Sequence, residues 1–112
     1  MMESNRQKKV SRLIQKDLSE IFLQDSKTYY NGTMITITHV FITKDLSLVK
    51  VYLSLFPKNM NVFQEIKNRV SQIKHQLSYK LKHQLRKTPD LSFYIDNSLE
   101  HYENIDTLLK DI

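Results

Sequence analysis

Cysteine is absent from the chain, and with it go disulfides, thiolate metal sites and thiol catalysis. Glycine occurs once, at Gly32. A single glycine cannot supply the GxxxxGKS/T or GxGxxG loops whose backbone cradles phosphate. No apolar run approaches the eighteen or so residues that span a bilayer. The opening MMESNRQKK is followed by no apolar segment of the kind a secretory signal carries. We therefore expect a cytoplasmic protein that makes no use of a membrane. Acids are scarce where the chain is most basic: residues 61–90 hold seven Lys/Arg against two Asp/Glu.

What is present fits one globular domain. The 112 residues are 40% hydrophobic and 26% charged, enough for a core with a thin stability margin. We expect a single domain over residues 1–112, with residues 1–4 flexible. The formal net charge is +5 and is unevenly spread. Residues 1–24 hold five Lys/Arg against three acids, and residues 25–60 four against two. Residues 91–112 reverse the sign, with one lysine against five acids. A localised basic surface beside an acidic end suggests a polyanionic partner.

Val10, Leu13, Ile14, Leu18, Ile21 and Phe22 recur in steps of three and four, which predicts an amphipathic helix over residues 4–24. Gly32 marks a turn after it. Residues 34–43, MITITHVFIT, are rich in β-branched side chains and predict a strand. Its parity slips: Ile35 and Ile37 share one side, Val40 and Ile42 the other, so a bulge is expected near Thr38 and His39. Residues 47–56, SLVKVYLSLF, alternate, with Val49, Val51, Leu53 and Leu55 on one face and Lys50, Tyr52 and Ser54 on the other.

Pro57 ends that strand. Asn61 and Gln64 have capping-box spacing ahead of a helical pattern through Phe63, Ile66, Val70, Ile73, Leu77, Leu81 and Leu85. Continuous to Lys87, this helix would be roughly 40 Å long at about 1.5 Å per residue. We expect a bend near its middle and a stop that Pro89 imposes on Thr88. Residues 91–95, LSFYI, form a third strand, with Leu91, Phe93 and Ile95 inward and Ser92 and Tyr94 outward. Asn97 with Glu100 opens a last helix bearing Leu99, Ile105, Leu108 and Leu109. The order helix, strand, strand, helix, strand, helix predicts one α+β domain. Its three-stranded sheet should carry the helices on one face, with a right-handed crossover between the second and third strands.

The segment RKTPDLSFYIDNSLEH, residues 86–101, gathers Asp90, Asp96, Glu100 and His101 and so invites a catalytic reading. On a strand Asp90 and Asp96 stand roughly 20 Å apart at about 3.3 Å per residue, whereas carboxylates acting on one bond lie within about 10 Å. Asp90, following Pro89, reads as a turn residue; Asp96 and Asn97 read as caps. Glu100 and His101 diverge by about 100° on a helix. His39, His75, His83 and His101 show neither His-x3-His nor HExxH spacing, and no serine stands in a nucleophile-elbow context. We expect no enzyme activity, no metal, no cofactor and no small-molecule substrate. The carboxylate spacing disfavours a metal-dependent nuclease.

Lys67, Lys74, Lys80, Lys82, Arg86 and Lys87 alternate with the apolar positions of the middle helix. Arg6, Lys8, Lys9, Arg12 and Lys16 fill much of the surface of the first. Any one of these cations reads as a solvated residue. With acids nearly absent over residues 66–89 to pair with them along the helix, they together form a face able to neutralise phosphates. The candidate RNA contacts are Arg6, Lys8, Lys9, Arg12, Lys74, Lys80, Lys82, Arg86 and Lys87. Tyr52 and Tyr94 lie on outward parities, where rings either stack on bases or cover the sheet. The alternative function is that of a protein-interaction adapter whose acidic last helix docks a basic partner.

VSRLIQKDLSEIFL, then GTMITITHVFITKDLSLVKVYLS, then LRKTPDLSFYIDNSL, in that order and spacing, resemble bacterial ribosome-binding factor A over nearly the whole chain. The strand-KDL-strand unit ending in KVYLS and the LRxxPxLxFxxDxS segment carry the resemblance. It implies a type II KH-like fold and a monomeric factor whose partners are the small (30S) ribosomal subunit and its ribosomal RNA. It implies a role in late subunit maturation, ribosomal RNA processing and cold adaptation, with no cofactor. By position, Lys9 and Arg86 match basic places and would be RNA contacts, whereas Asp45, Pro89 and Phe93 would be structural. Asp45 and Leu46 match the inter-strand DL, and Pro89, Phe93 and Asp96 the closing motif. The family places an alanine-x-glycine kink where this chain reads Ser71, Gln72, Ile73. Either Ser71 carries the bend or the helix is straighter than in relatives.

Overall fold

The computed structural model describes residues 4–96, so the expected last helix, with Asn97, Leu99, Glu100, His101, Ile105, Leu108 and Leu109, lies outside the described residues. Ser4 opens α1 (Asn5–Tyr29) through a full capping box. Its hydroxyl accepts from the Gln7 amide at 3.1 Å, and the Gln7 side chain accepts from the Ser4 amide at 2.9 Å. Two donors that a helix start leaves orphaned are thereby satisfied. Val10, Ile14, Leu18, Ile21 and Phe22 are buried as their period predicts. The helix continues past Gln24, where the period ends, because Tyr30 caps it with a fully buried ring set edge-on to Phe22 at 6.0 Å. Asn31 and Gly32 then take left-handed backbone (φ 54 and 72), and the Gly32 amide closes the end on the Ser26 carbonyl at 2.9 Å.

β1 (Met34–Ile42) and β2 (Leu48–Phe56) pair antiparallel, and β3 (Asp90–Ile95) lies parallel to β2, giving the order β1-β2-β3. β2 is central, and its inward Val49, Val51 and Leu53 are wholly buried. The register of β1 shifts between Ile37 and His39, where the sequence predicts a bulge. The shift keeps Ile37, Val40 and Ile42 all buried while His39 and Phe41 turn outward. Two glutamines of α1 tie it to this strand: Gln15 Nε2 donates to the Ile37 carbonyl at 3.2 Å, and Gln7 Nε2 to the Ile42 carbonyl at 3.0 Å.

The expected bend of the middle helix is a break into α2 (Met60–Asn68) and α3 (Val70–Leu81). It falls at Arg69 (φ −99, ψ 14), two residues ahead of Ser71. The Arg69 amide donates back to the Glu65 and Ile66 carbonyls at 3.0 and 3.1 Å, closing α2, while its own carbonyl accepts from Ile73 at 2.9 Å, starting α3. The cap of α2 is Asn59 and not Asn61. The Asn59 side-chain oxygen accepts from the Asn61 and Val62 amides at 2.9 and 3.3 Å, which places Asn61 inside the first turn.

The stop also differs from the expectation. α3 ends at Leu81, not at Thr88, and residues 82–84 form a turn in which Gln84 and Leu85 both donate to the Leu81 carbonyl. Lys82, His83 and Gln84 are all exposed, so one more leucine at position 85 offers too little apolar face to extend the helix. Asp90 is the first residue of β3, its amide donating to the Ser47 carbonyl at 2.9 Å, and is not a turn residue. Ile66 of α2 and Ile73, Leu77 and Leu81 of α3 join the α1 residues over the inward side of the sheet, where Phe93 meets the Phe22 ring edge-on at 5.9 Å. The described helices thus share one face of the sheet.

Candidate nucleic-acid interface

The short connection between β1 and β2 is locked by one carboxylate. Asp45 Oδ1 accepts from the Thr43 hydroxyl at 2.7 Å, the Ser47 hydroxyl at 2.7 Å and the Ser47 amide at 3.1 Å. These bonds, those from Ser47 foremost, hold its carboxyl below the ordinary value. The turn they enforce puts Leu46 in left-handed backbone (φ 61) with its side chain packed against the core. Asp45 is therefore structural in this fold.

Across from that turn the chain brings three cations together. Arg6 from the start of α1 and Arg86 and Lys87 from the segment after α3 line one cleft of about 400 Å³ with Asp45 and Ser47. They lie some eighty residues apart in sequence, and no local pattern announces the meeting. The early end of α3 makes it, because residues 82–87 leave the helix path and return towards β3. Such a cleft suits an anion with several oxygens: arginine offers paired donors in a plane and lysine a point charge.

Other predicted contacts have different surroundings. Lys74 Nζ lies 2.6 Å from Asp90 Oδ1 at the start of β3, and Lys80 Nζ lies 3.0 Å from Glu20 Oε2 on α1. The two lysines lace α3 to its neighbours. Pairing along the helix is indeed missing, as its sequence predicts, and partners sixteen and sixty residues away replace it. Lys82 sits over the Tyr79 ring at 4.4 Å. Lys8, Lys9 and Arg12 are exposed on α1 and lie away from its buried stripe. The nine residues thus divide into a cleft group, an α1 surface group, a lysine on a ring and two paired lysines.

Sequence reasoning missed Arg69. Its guanidinium lies 3.4 Å from the centre of the Tyr29 ring, and it interacts with the buried Tyr30 hydroxyl. Burial raises the Tyr30 phenol above its ordinary value, with Arg69 acting against it. Among the described residues, no three His, Cys, Asp or Glu side chains are grouped to hold a metal ion. No described helix is long and apolar enough to cross a membrane.

Residues 6–109 match the family model of ribosome-binding factor A. The chain is 46% identical to ribosome-binding factor A of Christiangramia forsetii, spanning 98% of this chain and 86% of the relative. It is 44% identical to that of Flavobacterium psychrophilum, spanning 96% and 85%. The crystal structure of ribosome-binding factor A from Thermus thermophilus superposes with a TM-score of 0.67 at 17% identity, over 80% of this chain and 94% of that one. A homology model of the Thermus thermophilus factor, fitted into the cryo-EM map of a 30S complex with the factor, gives 0.67 over 80% and 93%, again at 17% identity. These likenesses place the α+β architecture among KH-like folds. On the family model and the near-full-length relatives together, the chain belongs to the ribosome-binding factor A family.

Proposed function

We propose that the protein binds the small ribosomal subunit and holds its ribosomal RNA by phosphate contacts, acting in late subunit maturation without chemistry of its own. The observation that carries this is the meeting of Arg6, Arg86 and Lys87 in one cleft, beside a family whose Thermus thermophilus member is fitted into a 30S complex. Lys8, Lys9 and Arg12 extend the cationic surface along α1. Lys82 adds to it after α3, whereas Lys74 and Lys80 contribute chiefly by fixing α3 in place. The protein acts in the cytoplasm as a monomer, needs no cofactor or small-molecule substrate, and supports ribosomal RNA processing and growth in the cold.

The test is co-sedimentation with small subunits at several salt concentrations. Each phosphate neutralised adds about 0.7 to 0.9 to the steepness of log K against log salt. Contacts to roughly four to six phosphates therefore give a slope between about −3 and −5. The triple variant Arg6→Glu, Arg86→Glu, Lys87→Glu should lose co-sedimentation while unfolding as cooperatively as the parent. Unchanged binding by that variant, or an affinity indifferent to salt, would refute the cleft. Binding that survives nuclease treatment and follows residues 98–112 would favour the adapter instead.

A further inference from the structure

No described helix covers the outer side of the sheet, and the residues there are unlike an ordinary solvated face. The register sets His39, Tyr52 and Tyr94 in one row across all three strands, with Phe41, Lys50 and Ser92 in the next. Tyr52 and Tyr94 stack with centroids 5.2 Å apart and planes 26° apart. Phe41 meets Tyr52 edge-on at 6.0 Å and His39 at 4.1 Å. Phe41 on β1 is 46% exposed and Tyr94 on β3 is 40% exposed, and His39 is exposed beside Phe41 on β1. Their described ring partners lie on β1 and β2, on the inner side of the row. The Ser92 hydroxyl donates to the Tyr94 hydroxyl at 3.0 Å and holds that ring along its strand.

Rings that merely shield a sheet would pack down and keep charge to the margins. Here the exposed Lys50 stands between Phe41 and Ser92, in the middle of the face. The nearby carboxylate, Asp96, accepts a hydrogen bond from the Thr38 hydroxyl. Residues 4–96 carry sixteen Lys/Arg against seven Asp/Glu, so the surrounding field favours an anion. Phe41 adjoins Lys50 in its own row and Tyr94 stands one row along on β3, so an open ring lies on the strand to either side of the cation, with Tyr52 joining the two rings. This suits a nucleotide strand, which alternates flat bases with phosphates.

We propose that this face binds single-stranded RNA, one unpaired base stacking on Phe41, a second on Tyr94, and the phosphate between them resting on Lys50. The proposal rests on the protein being an RNA-binding factor, and it adds a surface separate from the basic cleft. The cleft takes backbone phosphate of any RNA; the aromatic face takes only bases that are not already paired. Stacking of this kind tolerates any base, so sequence preference should be weak.

The test uses the full chain and a labelled eight-nucleotide RNA of mixed sequence, single-stranded or annealed to its complement, followed by fluorescence anisotropy at fixed salt. Phe41→Leu and Tyr94→Leu keep apolar bulk and remove the ring. Each should weaken single-strand binding about fivefold or more and leave duplex binding unchanged, and Tyr94→Trp should restore it. Unchanged single-strand affinity in both leucine variants, each shown to unfold cooperatively, overturns the proposal. Loss of subunit co-sedimentation without loss of oligonucleotide affinity also overturns it and assigns the face to a protein. A changed oligomeric state with the same oligonucleotide affinity overturns it in favour of a second copy of the chain. If the parent failed to bind subunits, the proposed function would fall, while the oligonucleotide titration would still judge the aromatic face.

Discussion

The Arg69 guanidinium lies 3.4 Å from the centre of the Tyr29 ring, joining the break between α2 and α3 to the last turn of α1. The contact crosses forty residues of sequence and anchors the break between the two helices on α1. Replacing Tyr29 by Ala should cost about 1 kcal/mol, the usual worth of a partly exposed cation on a ring. Tyr29→Phe should cost less than half of that, because the ring face remains. Urea unfolding of the two variants decides it, and equal losses would show that packing and not the ring face is responsible.

Gly32 offers a test of backbone alone. Its φ is 72, and a Cβ built there meets no atom within 4 Å. Gly32→Ala should therefore destabilise by about 1 kcal/mol through the clash of its Cβ with its own left-handed backbone, with no contribution from packed neighbours. In a domain of this size that is a fall in Tm of roughly 5 °C. Gly32→Asn, better suited to this region, should fall less.

Acid stability depends on two lysines. A hydrogen bond from Lys80 and then its charge hold Glu20 below the ordinary carboxyl value, and Lys74 does the same for Asp90. A carboxyl depressed on folding stabilises above its unfolded pKa, and this is lost as pH falls through the folded pKa. Asp17 behaves oppositely: burial raises it, with Lys80 the main opposing influence. Its share of stability is present at low pH and lost as pH rises through the raised value. Lys80→Met should thus weaken the fold at neutral pH and flatten its decline below about pH 4. Asp17→Asn should gain stability at pH 7 and match the parent in acid. Denaturant titrations from about pH 2 to pH 8 would expose either sign being wrong.

Paired and unpaired cations should separate by assay. Arg86→Met should make the salt slope of RNA binding shallower by about 0.7 to 0.9 with little change in unfolding free energy. Lys80→Met should do the reverse, since its ammonium is already committed to Glu20 at 3.0 Å. Salt titration beside urea unfolding on the same two variants provides the check. Equal slopes would mean that the salt bridge opens when RNA arrives.

Most of the architecture was written in periodicity. Val49, Val51 and Leu53 alternate without interruption and become the fully buried centre of the sheet. The parity slip between Ile37 and Val40 points to a bulge near Thr38 and His39, and the register shifts there, between Ile37 and His39. What periodicity cannot show is termination decided by contacts elsewhere. α1 outlasts its pattern because Tyr30 docks on Phe22, and α3 stops before its pattern because residues 82–84 have no apolar side to bury. The spacing points to Asn61 as the cap of α2, two residues late, because Asn59 and Asn61 are both capping types and only geometry separates them. At the candidate site, charge was legible and partnership was not. Lys80 and Glu20 lie sixty residues apart, and Arg6 reaches Arg86 only after the chain folds.

Thr38 is the extra residue of the β1 bulge, its hydroxyl turned to the Tyr52 carbonyl and to Asp96. Side chains alternate with period two along a strand, so one inserted residue exchanges inside for outside from that point on. Without it, His39 and Phe41 would be carried to the core and Val40 and Ile42 to water. The strand is therefore fixed in length more strictly than in spelling. Substitution at position 38 trades two hydrogen bonds, whereas removing the position turns half the strand inside out.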